Sequence, residues 1–298
     1  MIGTKKWKFL EELQRFPKTY EFLEKQRIIG IEKLDSLWRK ENILLRISCE
    51  SQDYVLKIIK GKEKESELDR IRLMSQEYPC LMPSIFLFEG NSYLMEHIKG
   101  NSFFSLDDSE RTEKINLAGR VLKYTYSQKT SGRADISRQV FNSFSRYREK
   151  RKRFFSEQEL RIPIEFFRIF QNVPAQVSHN DLNAANLLYG KEIKLIDPSE
   201  EGFEDISRDI GRYCASCFFN YYDYFGNNLR KSLDIANAFL CNFDEESLKR
   251  AQYFIGESFL SFLNFDTVSV EKSVLKKLAI TLLQEKGNLI NLLEKGLK

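Results

Sequence analysis

The segment SHNDLNAANLLYGKEIKLIDPSEE, residues 178–201, constrains this chain more than any other. Three polar side chains punctuate it: Asp181, Asn186 five positions later, and Asp197 eleven positions beyond that. Between Asn186 and Asp197, LLY and EIKLI are short β-rich runs that meet at Gly190-Lys191, where glycine at the first turn position suits a type II′ hairpin. A hairpin there is expected to bring Asn186 and Asp197 to one point, with Asp181 a loop's width away. Phosphoryl transfer calls for such a set, with oxygen ligands holding Mg²⁺ on the phosphates and a separate carboxylate taking the acceptor's hydroxyl proton. The competing interpretation makes the HND and IDP stretches ordinary loop turns closed by Asx caps.

HNDLNAAN resembles the catalytic loop of the protein-kinase-like fold, in the form used by aminoglycoside phosphotransferases and choline kinases. IDP stands where protein kinases carry their DFG triplet. The resemblance implies that Asp181 is the catalytic base and that Asn186 and Asp197 bind Mg²⁺. It implies an α+β, two-lobed protein-kinase-like fold with a small antiparallel β-sheet N-lobe bearing one main helix and a larger helix-rich C-lobe. The N-lobe is expected over residues 1–95, the inter-lobe linker over 96–100 and the helical C-lobe over 101–298, with the catalytic loop at 178–201. In RDIGRY, Asp209 matches the family aspartate that hydrogen-bonds back to the catalytic loop.

The chain ahead of that segment begins with helical spacing at Trp7, Leu10, Leu13 and Phe16, which predicts one or two surface helices. Three strands follow in IIGIEKL, NILLRIS and DYVLKII. The loop between the first two, residues 35–42, contains no glycine, a departure from the phosphate-covering loop of the fold. In DYVLKII, alternation places Val55, Lys57 and Ile59 on one face and Tyr54, Leu56 and Ile58 on the other. A lysine in so apolar a run must snorkel to water or meet a carboxylate, and taken alone it reads as an exposed edge-strand lysine. The resemblance makes Lys57 the strand lysine that touches the α- and β-phosphates of ATP or GTP. A glutamate from the helix KESELDRIRLMSQEY would hold it, Glu67 by register and Glu65 as the alternative. LMEHIKG resembles the lobe-linking segment. Met95 would then back the adenine slot, the backbones of Glu96 and Ile98 would read the base edge, and Val55 and Leu188 would sandwich the ring. Each is equally explicable as core.

After Gly100 the pattern is helical to the end, apart from the 178–201 segment, with clear apolar spacing at Val274, Leu275, Leu278 and Leu282. The run RYREKRKR, residues 146–153, reads as a solvated helix face or a polyanion contact, and no interleaved stacking aromatics accompany it. A formal charge of +4 on 298 residues is too small to argue for nucleic acid. No apolar run reaches membrane-spanning length, and the first residues lack the apolar centre of a secretory signal. Five scattered cysteines are expected to be reduced, buried thiols of a cytoplasmic protein; Cys214 and Cys217 lie in a helical apolar pattern that favours packing over metal.

The expected function is a Mg²⁺-dependent small-molecule kinase. It would move the γ-phosphoryl of ATP or GTP to a hydroxyl of an aminoglycoside-, choline- or sugar-like acceptor. Glu200, Glu201, Glu204 and Asp205 would suit a cationic acceptor, whereas the aromatic run FFNYYDYF would suit a quaternary ammonium or helix core. Asn183, where a protein kinase keeps a lysine, and the dozen residues from Asp197 to Asp209 argue against a protein acceptor. A catalytically silent nucleotide-binding module is the alternative, and a protein kinase a more distant one.

Overall fold

The computed structural model describes residues 9–34, 42–60, 64–129, 132–151, 154–156, 158–159, 161–162, 164–199, 205–224, 228–263 and 272–297. It divides into two compact units, Met1–Gly100 with Gly190–Glu200, and Asn101–Tyr189 with Glu201–Lys298.

The first unit is built on five antiparallel strands: β1 Ile28–Leu34, β2 Ile43–Cys49, β3 Asp53–Ile58, β4 Ile85–Glu89 and β5 Ser92–Glu96, in the order β1-β2-β3-β5-β4. Gly90, with φ of +59°, supplies the left-handed residue that the two-residue turn from β4 to β5 demands. Two short helices, α1 Leu10–Gln14 and α2 Pro17–Lys25, precede the sheet. Pro17 opens α2 where a missing N–H costs nothing. The Glu89 carboxylate accepts from the Lys18 and Thr19 amides at 3.1 and 2.9 Å, so the helix start is capped from β4. Leu13, Phe16 and Leu23 pack on Leu45, Ile47, Tyr54, Leu56 and Ile58, so these helices belong to the core rather than the surface. The period-2 pleat does the sorting: with Tyr54, Leu56 and Ile58 committed to that face, Lys57 points to the other. Helix α3 Lys64–Glu77 buries Leu68, Ile71 and Met74. Trp7 and the glycine-free loop at 35–41 lie outside the described residues.

The second unit is helical: α4 Asp108–Ser127, α5 Ser137–Arg151, α6 Ile164–Phe167, α7 Ser207–Tyr224, α8 Leu229–Leu240, α9 Glu245–Phe262, α10 Lys272–Gln284 and α11 Leu289–Leu297. Between α5 and the 178–201 segment lie the short α6 and a 3₁₀ turn, from which Phe166, Phe167 and Phe170 turn inward to ring Tyr253. Helix α9 is its axis, with Arg250 through Leu260 buried without a break. A Cβ on Gly211 would stand 2.6 Å from Phe254 Cβ and 2.8 Å from the Ala251 carbonyl, so only glycine lets α7 approach α9 so closely. On α5, Arg146, Arg148 and Lys150 are exposed; the side chains of Arg151, Lys152 and Arg153 lie outside those described.

Two strands, β8 Leu187–Tyr189 and β9 Ile193–Leu195, flank the Gly190 turn; a further pair, β6 Arg133–Ala134 and β7 Val173–Pro174, lies in the second unit. The turn is closed by the Gly190 N–H donating to Glu192 O at 3.2 Å. Gly190 is not in the left-handed region, so the expected type II′ turn is corrected. Glycine serves there because a Cβ would meet Lys99 O at 2.8 Å. Among the described residues no helix is long and apolar enough to cross a membrane.

Candidate active site

In the first unit, Lys57 is 3% exposed and holds two carboxylates, Glu67 Oε1 and Asp197 Oδ1, each 2.7 Å from Nζ. Glu67 comes from the first turn of α3 and reaches the lysine of β3; the side chain of Glu65 lies outside those described. Across the sheet Lys57 pairs with Tyr93, also buried. Burial pulls the lysine toward neutrality, but the Asp197 and Glu67 carboxylates overcome it and raise the ammonium's pKa well above its ordinary value. Burial likewise pushes the Tyr93 phenol up, so it is neutral at any working pH and the two carboxylates carry the balance. Asp197 has a left-handed backbone, φ 57°, a conformation costing about 1–3 kcal/mol that its surroundings must hold. Its carboxylate remains 39% exposed.

In the second unit the loop after Ser178 is gripped by one face of α7. Asp209, wholly buried, accepts from the His179 and Asn180 amides at 2.6 and 2.7 Å and from Tyr126 Oη at 2.8 Å. This bends the loop through Asn180, whose φ is 67°. One turn on, Arg212 Nη2 donates to Asp181 Oδ1 at 2.6 Å; one turn further, Ser216 Oγ accepts from the Ala184 amide at 3.0 Å. Asn186 Nδ2 donates to the Asp181 carbonyl at 2.8 Å, and Asn183 closes the turn between them through Ala185 N. Fixing the Asn186 amide by its nitrogen leaves its oxygen as the atom for a cation. The structure thus groups Asp181, Asn186 and Arg212 on one loop–helix pair, and Lys57, Glu67 and Asp197 on another.

Of the residues expected around the base, Val55 and Met95 are buried neighbours across β3 and β5, while Glu96, Ile98 and Leu188 are half-buried. The Glu96 N–H donates to Ser84 O at 2.9 Å, so that N–H is already engaged within the sheet unit. Three participants escaped sequence reasoning: Arg212, Ser216 and Tyr93. For the first two the signal was present, since Asp209, Arg212 and Ser216 recur at i, i+3 and i+7. Tyr93 was hidden because its role depends on cross-strand register.

The acidic cluster beyond Asp197 loses one member. Asp205 is fully buried, accepts from Arg250 Nε at 2.9 Å and caps the start of α7 through Ser207 N. Glu200, Glu201 and Glu204 lie outside the described residues. Phe218, Phe219 and Tyr221 of the aromatic run are buried core, with Tyr221 Oη tied to Asp108 at 2.7 Å. Cys49, Cys214 and Cys217 are buried thiols as expected, but Cys80 and Cys241 are exposed.

No protein-family profile and no curated protein sequence matches the chain. Solved structures do. A thermostable mutant of aminoglycoside phosphotransferase APH(4)-Ia, in its apo form, matches with a TM-score of 0.58 at 14% identity, over 90% of this chain and 95% of that one. The ternary complex of a related mutant with ADP and hygromycin B matches with a TM-score of 0.57 at 12% identity, over 89% and 97% of the two chains. At such identity the likeness speaks for architecture, and on that architecture the chain has the α+β, two-lobed protein-kinase-like fold that these phosphotransferases share.

Proposed function

We propose that this protein transfers the γ-phosphoryl group of a nucleoside triphosphate, ATP or GTP, to a hydroxyl of a small molecule. The observation that carries it is the ammonium of Lys57, buried and held by both Glu67 and Asp197 at 2.7 Å. A buried lysine kept charged by two carboxylates is costly to build and is suited to steadying phosphate oxygens. The fold shared with a protein solved with ADP and hygromycin B supports the same class of chemistry.

Asp181 would orient the acceptor hydroxyl and take its proton through Oδ2, since Oδ1 is bound to Arg212. Asn186, through its amide oxygen, and Asp197, through its part-exposed carboxylate, would bind Mg²⁺, which takes hard oxygen ligands, keeps several waters and binds through one or two carboxylates plus phosphate. Bound there, the ion would neutralise phosphate charge. Val55, Met95, Leu188 and the backbones of Glu96 and Ile98 would hold the base. Position and charge make up nearly all of the catalysis.

The test is an activity screen with ATP and GTP against amino-sugars, amino-alcohols and sugars. Asp181→Asn and Asp197→Asn should each lower turnover by roughly a thousandfold or more with the fold intact. Near-normal rates in both variants would overturn the assignment. The glycine-free 35–42 loop favours the second interpretation, a nucleotide-binding module without turnover, which the same screen would reveal as binding without transfer.

A further inference from the structure

Arg212 carries a charge that the chemistry above does not use. Its Nη2 donates to Asp181 Oδ1 at 2.6 Å, with the two side chains 28% and 33% exposed, so the pair opens to solvent beside the proton-accepting carboxylate. Among the described residues the guanidinium makes no other hydrogen bond. Its neighbours on the same face of α7 hold backbone, Asp209 at His179 and Asn180 and Ser216 at Ala184. Arg212 instead holds a side chain, that of Asp181.

We propose that Arg212 is a positioning and acceptor-selecting residue: it aims Asp181 and disfavours an ammonium group beside the reacting hydroxyl, so that the acceptor is polyhydroxylated and sugar-like, with no amine at that place. This rests on the phosphotransferase reading. A lone aspartate would draw an amine-bearing acceptor, whereas an aspartate already paired with a permanent cation does not, and a second cation next to that guanidinium is repelled. The N–H groups not engaged by Asp181 are donors suited to hydroxyl and ring oxygens. Asp205 gives no compensating negative charge, being buried against Arg250. In the step concerned, the acceptor oxygen bonds to the γ-phosphorus as the bond to the β,γ-bridging oxygen breaks. The electron pair leaves with the nucleoside diphosphate, and the hydroxyl proton passes to Asp181 Oδ2.

The experiment compares wild type, Arg212→Met and Arg212→Lys on matched acceptors, a sugar and its 2-amino analogue and a polyol and its amino-alcohol, with kcat and KM measured separately. ADP affinity and the thermal midpoint check that each variant is folded. Wild type should favour the amine-free member of each pair by about tenfold or more in kcat/KM. Arg212→Met should lose that preference and lower kcat while ADP affinity stays unchanged. Arg212→Lys should keep the preference but recover kcat only in part, because a lysine cannot reproduce the planar fork. A wild-type preference for the amines, or an unchanged ratio in Arg212→Met, overturns the role of Arg212 and leaves the phosphotransferase standing. No transfer to any acceptor by wild type overturns both.

Discussion

Lys57 and Asp197 are 140 residues apart in sequence and 2.7 Å apart in the folded chain. The contact ties the third strand to the IDP turn, and Glu67 shares the same ammonium from α3. Breaking a buried pair leaves a buried charge uncompensated, at a cost of about 3–5 kcal/mol. Lys57→Met should therefore destabilise the protein by about 3 kcal/mol in urea unfolding and weaken nucleotide binding. Glu67→Gln keeps the shape and leaves Asp197 as partner, so its cost should be about 1–2 kcal/mol. Equal losses in the two variants would show that the lysine is not the hub.

The three hydrogen bonds on Asp209 differ in kind. Removing the carboxylate with Asp209→Ala orphans two buried amides, each worth about 1–3 kcal/mol, whereas Tyr126→Phe removes one bond for about 0.5–1.5 kcal/mol. Denaturant midpoints should rank wild type, Tyr126→Phe, then Asp209→Ala, and amide exchange at His179 and Asn180 should accelerate only in the last. Unchanged protection there would separate Asp209 from loop shaping.

Thiol chemistry should divide the five cysteines. Cys80 and Cys241 are exposed. Burial, with a lesser push from Asp53, raises the Cys49 thiol to about 11, and burial pushes Cys214 and Cys217 up as well. At pH 8 a disulfide reagent should titrate two thiols quickly and the other three only on unfolding. Rapid reaction of Cys214 or Cys217 would contradict the packing of α7 against α9.

Glu159 gives the second unit a pH signature. Lys276 at 2.8 Å and the amide and hydroxyl of Ser156 hold its carboxyl down at about 2, from 4.5. A depressed folded-state pKa contributes stability above the unfolded value and loses it as pH falls through the folded one. The gap in urea midpoint between wild type and Glu159→Gln should be open at pH 6, narrow from pH 4.5 downward and close near pH 2. It should be small, because both partners are about one-third exposed. A gap that does not vary with pH would mean that the carboxylate charge contributes nothing.

Local pattern was enough for much of this protein. The strand runs and the helix containing Glu67 follow from periodicity and turn chemistry over a few residues, and the resemblance of HNDLNAAN and IDP to a kinase-like catalytic loop implied the fold. What local pattern could not carry was partnership. Cross-strand register set Tyr93 against Lys57, the packing of α7 along the loop delivered Arg212 to Asp181, and the buried face of α9 turned Asp205 into the counter-ion of Arg250 rather than an open acid. Those pairings depend on which surfaces meet after the elements form, and burial then fixes them, because a charge removed from water must find an opposite charge or a hydrogen bond close by.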